Sequence, residues 1–92
     1  MIVIELKFDK LLTSLAGNQF GCSEFQKQIK EVDYDSSYKI IFPMGIKYIA
    51  TSFIQGFFKS FVETIGITGI EDKVEIESSI KNLKQLIIDC LV

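Results

Sequence analysis

Apolar and polar residues alternate from the start of the chain. In "MIVIELKFD", residues 1–9, Ile2, Ile4, Leu6 and Phe8 share one face, while Val3, Glu5 and Lys7 share the other. That period of two predicts a half-buried strand. Asp9-Lys10 suits a tight turn, and "LLTSL", residues 11–15, suits a short second strand closing a hairpin. Ala16, Gly17 and Asn18 form a loop in this reading. The period then lengthens. Cys22, Phe25, Ile29 and Val32 recur at spacings of three and four, which predicts a helix capped by Asn18 or Ser23 and ended by the polar turn "DYDSS", residues 33–37.

"YKIIF", residues 38–42, is β-branched, aromatic and almost wholly apolar, as a buried central strand is. Pro43 has no N–H for a ladder and ends it, and Gly45 suits a turn. From Ser52 the pattern is helical again. Ile54, Phe57, Phe58, Phe61, Val62 and Ile65 make a wide apolar stripe, with Gly66 as its C-terminal cap. "GITGIED" follows as a loop or short extended piece. "KVEIE", residues 73–77, alternates as a strand. A last helix, capped by Ser78 or Ser79, buries Ile80, Leu83, Ile87, Cys90 and Leu91. The predicted architecture is one α/β domain spanning residues 1–92, ordered β(β)αβαβα. It has a mixed, mostly parallel sheet of three to four strands with about three helices packed on it.

Composition narrows what such a domain does. The chain of 92 residues carries a net charge of −2, and all ten of its basic residues are lysine. Without arginine there is no bidentate fork for phosphates or guanine edges, and no basic face marks a nucleic-acid partner. Without histidine there is no Ser-His or Cys-His pair and no imidazole metal ligand. Cys22 and Cys90 form no CxxC pattern and are expected to be reduced thiols. No apolar run is long enough to span a membrane, and "MIVIELKF" lacks the basic start of a signal peptide. The expectation is a soluble cytoplasmic protein. The acidic pairs Asp33/Asp35 and Glu75/Glu77 are read as solvated faces, with neither a metal nor a cofactor implied, and no nucleotide-binding motif occurs.

Candidate chemistry concentrates in "IATSFIQGFF", residues 49–58. Ser52-Phe53-Ile54-Gln55 matches the capping box Ser-x-x-Gln, in which Ser52 and Gln55 satisfy the first free N–H groups of a helix. A hydroxyl where a strand passes into a helix also lies in the place where α/β proteins gather their sites, so Ser52 is a candidate phosphoacceptor for a partner kinase. Phe53, Gly56 and Ser60 fall off the apolar stripe. Phe53 is either a candidate exposed aromatic anchor there or part of the core rim, and Gly56 a point of close approach by the sheet below or by a partner outside.

The unit "KIIFPMGIKYIATSFIQGFFKSFVETIG", residues 39–66, resembles the central strand-loop-helix of STAS domains, the fold of bacterial anti-sigma-factor antagonists. The "TSF" leading into a phenylalanine-rich helix, together with "LLTSLAGNQF" before the first helix, resembles the STAS-like family of unknown function. The resemblance implies a regulatory, non-catalytic domain whose partner is a GHKL-type ATPase or anti-sigma-like kinase. Ser52 matches the serine that such kinases phosphorylate, and Thr51 the hydroxyl residue before it. Ala50 stands where those proteins have aspartate, and Phe53 where they have glycine. The expected partner surface is therefore Thr51, Phe53, Gly56 and Ser60 around Ser52. The alternative is a self-associating subunit that buries its apolar tail "LIIDCLV" in a homodimer, with no phospho-switch. An enzyme is the weakest reading, because no nucleophile and base can be paired.

Overall fold

The computed structural model describes residues 1–29 and 35–92. Along them run β1 (Ile2–Glu5), β2 (Ser14–Leu15), α1 (Asn18–Gln28), β3 (Tyr38–Ile41), β4 (Tyr48–Ile49), α2 (Thr51–Phe57), α3 (Lys59–Lys73), β5 (Val74–Glu77) and α4 (Leu83–Leu91). Strands β1, β3 and β5 form a parallel sheet in that spatial order, and β2 pairs in parallel with β4. The α/β class and the central position of β3 are as the apolar pattern predicts.

The sheet is two-faced. Tyr38, Ile40 and Phe42 of the central strand and its continuation are buried, as is Val74 beside Tyr38. On the opposite face Val3, Glu5, Glu75 and Glu77 are exposed, and Lys39 pairs with Glu77 at 3.3 Å. The helices therefore cover one face. Phe57 and Phe61 meet Phe42 and Tyr38 there, with ring centroids 6.4 and 5.4 Å apart. Phe25 of α1 sets its ring edge-on against both Phe57 and Phe61. Each of these contacts adds about 1 kcal/mol beyond its buried area.

Several expectations change. β2 makes no hairpin with β1. Asp9 folds the chain back locally, its C=O accepting from Leu12 and its carboxylate from Leu11. The backbone of Lys7, where a returning strand would pair, is taken by the Gln28 side chain instead. The three-stranded sheet is thus wholly parallel and not mixed. Helix α1 starts at Asn18 after Gly17, whose φ of 99° suits glycine, and it gives way at Ile29 to extended backbone. The predicted last turn of that helix, with Val32 and Asp33, lies outside the described residues.

The expected helix from residue 52 to 66 is two helices bent at Phe58, although the bond ladder runs through the bend: Phe58 donates to Ile54 and accepts from Val62. Gly66 is a kink and not an end, with φ 73° and ψ 172°, and "GITGIED" is helical beyond it. Neither Ser78 nor Ser79 caps α4, which begins after Asn82 in the left-handed region. The Ser79 hydroxyl lies within 3.1 Å of the carbonyls of both Met44 and Ile46, holding the loop after β3, while Ser78 accepts from Ile80 N–H.

Candidate functional site

Helix α2 is largely enclosed. Phe53, Ile54, Gly56 and Phe57 are all buried, and only Thr51, Ser52 and Gln55 reach solvent. The apolar stripe predicted for the core accounts for Ile54 and Phe57. The opposite face is closed by α1, and these two helices make the most extensive contact between elements. They cross through two glycines. A Cβ on Gly56 would collide with the backbone carbonyl of Asn18, and one on Gly21 with the backbone of Phe53 and Phe57. The Cys22 thiol donates to the Gly56 carbonyl at 3.4 Å in the same contact. Gly56 is therefore a point of close approach inside the molecule.

This overturns part of the expected partner surface. Phe53 is fully buried among Phe8, Phe20 and Phe57, with ring centroids 6.3, 5.6 and 5.6 Å away. It is a core residue and presents no anchor to a partner. Gly56 is likewise covered. Ser60 is half-buried beside a cavity of about 170 Å³ that Cys22, Gln26 and Glu63 also line. Of the residues expected at the surface, Thr51 and Ser52 alone are exposed.

The capping box is replaced by contacts to other elements. Ala50 is the N-cap of α2, and no side chain caps the helix. The Ser52 hydroxyl accepts the backbone N–H of Gly17 at 3.0 Å, at the start of α1. Gln55 donates to the carbonyl of Cys90 at 3.4 Å, and the Thr51 hydroxyl lies 3.5 Å from the Cys90 sulfur. The start of α2 is thus tied to α1 on one side and to the end of α4 on the other. Between α2, α3 and α4 lies an open groove of about 310 Å³, lined by Gln55, Lys59, Val62, Glu63, Cys90 and Leu91. The apolar tail expected in a dimer is mostly used within the chain: Ile87 and Ile88 are buried, and Leu91 packs against the core.

Both cysteines are free. Among the described residues no group of three or more Cys, Asp or Glu side chains is gathered to hold a metal ion. No helix there is long and apolar enough to cross a membrane.

One polar constellation carries no signal in the pattern. Glu24 is buried on α1, where it pairs with Lys27 at 3.3 Å and accepts from Gln28 at 2.9 Å. Gln28 in turn accepts from the N–H of Lys7 at 2.7 Å and donates to its C=O at 2.9 Å. The spacing of Glu24 and Gln28 fits one helix face, but nothing in it indicates that a strand backbone lies opposite.

Compared with protein-family models, curated proteins and solved structures, the chain has no significant match.

Proposed function

We propose that this chain is a non-catalytic cytoplasmic recognition domain of STAS-like fold that engages a protein partner through the surface around Thr51 and Ser52. The observation that supports it is the fixed presentation of these two exposed hydroxyls at a strand-to-helix junction, with Ser52 bonded to the start of α1 and Thr51 against the end of α4. A surface held by its own fold loses little freedom on binding, which favours recognition. The partner class is the one that the STAS resemblance implies, a GHKL-type ATPase or anti-sigma-like kinase, and Ser52 is the residue that such a kinase would phosphorylate. Ala50 in place of an aspartate favours binding over phosphorylation.

The test uses a purified ATPase of this class from the same genome and calorimetric titration with the wild-type chain, Ser52→Ala and Ser52→Glu. The expected result is that Ser52→Ala binds like wild type, while the added carboxylate in Ser52→Glu weakens binding about tenfold or more. Equal binding by all three chains removes this surface from the interface. Incubation with ATP followed by mass spectrometry separates binding from phosphorylation, which would add one phosphate at Ser52.

A further inference from the structure

Strand β1 ends the sheet, and among the described residues no strand pairs with its outer edge. The N–H of Ile2 donates to Ser37 at 2.8 Å and that of Leu6 to Ile41 at 2.9 Å, so the even-numbered residues face β3. The N–H and C=O groups of Val3, Glu5 and Lys7 therefore point away from the sheet. At Lys7 both are taken by the carboxamide of Gln28, which bonds there as a peptide unit of a neighbouring strand would. Among the described residues nothing bonds those of Val3 and Glu5. Residues 2–6 carry neither a proline nor a lysine, two of the usual protections of an edge strand. Instead Met1 is 70% exposed, Ile2 40% and Val3 58%, a continuous apolar run along an open edge.

We propose that β1 pairs antiparallel with β1 of a second copy, about a two-fold axis at Ile4, joining two sheets into one. This register uses only backbone groups that are free in both chains. It sets Val3 opposite Glu5 of the second copy and Glu5 opposite its Val3, and each such pair exchanges both of its N–H···O=C bonds. The next register along would need the backbone of Lys7, which Gln28 occupies. Ile4 then meets Ile4 across the axis, extending the apolar face. The charges also agree. Val3 lies beside Lys39 in the sheet, so the Glu5 carboxylate of the second copy enters a row in which Val3 alone separates it from the Lys39 ammonium. The like-charged Glu5 pair is kept out of direct opposition. An unrelated peptide would have to supply this pattern, whereas the edge already matches itself.

Sedimentation equilibrium over a wide concentration range tests it, with circular dichroism as the control for folding. The wild-type mass rises toward that of a dimer with concentration. Val3→Pro removes an outward N–H that the sheet does not use, and lowers the association constant about tenfold or more while the chain stays folded. Glu5→Lys, which keeps every backbone donor, places a lysine in the row of Lys39 and lowers it about threefold. A wild-type chain that stays monomeric at the highest concentration overturns the proposal. So does a dimer that neither substitution weakens, since it would use another surface. The partner titration at Ser52 is read separately, because β1 and that junction share no residue.

Discussion

The Ser52 hydroxyl accepts the backbone N–H of Gly17 at 3.0 Å, so the side chain at the start of α2 satisfies a donor at the start of α1. A cap for its own helix has become a clasp between two. Replacing Ser52 by Ala leaves that N–H to solvent and costs about 1 kcal/mol. Urea unfolding checks it, and the expected loss is a lower midpoint with an unchanged slope.

The crossing of α1 and α2 depends on the close approach at Gly21 and Gly56. Gly56→Ala drives a methyl group into the Asn18 carbonyl, which is backbone and has no rotamer to yield. The expected cost is about 3 kcal/mol, read as a fall in the thermal midpoint. Gly45→Ala, where an added methyl group meets nothing, changes stability by less than about 0.5 kcal/mol.

Phe53 distinguishes core from surface. It is fully buried and touches three other rings, so Phe53→Ala is expected to cost about 4 kcal/mol. Loss of partner binding in that variant would follow from loss of the fold, and near-UV circular dichroism beside the binding measurement shows it.

Gln28 closes the end of the β1 edge with a group that both donates and accepts. Gln28→Glu keeps the size but loses the donor to the Lys7 carbonyl, and sets a second carboxylate against Glu24. About 2 kcal/mol of stability is expected to go, and hydrogen exchange is expected to quicken first in β1.

Gly66 is needed for its backbone alone. Its φ of 73° and ψ of 172° belong to a region that side chains with a Cβ avoid, yet open space surrounds it. Gly66→Ala is expected to cost about 2 kcal/mol without any clash, and denaturant titration checks it.

The period of the apolar residues was enough to determine the α/β class, the three strands of the main sheet and the central place of β3. Each of these follows from which side chains leave water, and that is local information. The caps and the hairpin were decided elsewhere. Ser52, Gln55, Ser78 and Ser79 have the right chemistry for helix starts, but a hydroxyl or amide bonds whichever backbone group the fold brings nearest. For Ser52 that group is Gly17, and for Gln55 it is Cys90. The face of α2 that carries Phe53 and Gly56 looks free in a single helix's pattern. Only the packing of α1 across it turned two expected surface residues into core. Periodicity shows how wide an apolar stripe is, but not how many neighbours a helix has, because that number depends on where the rest of the chain is placed.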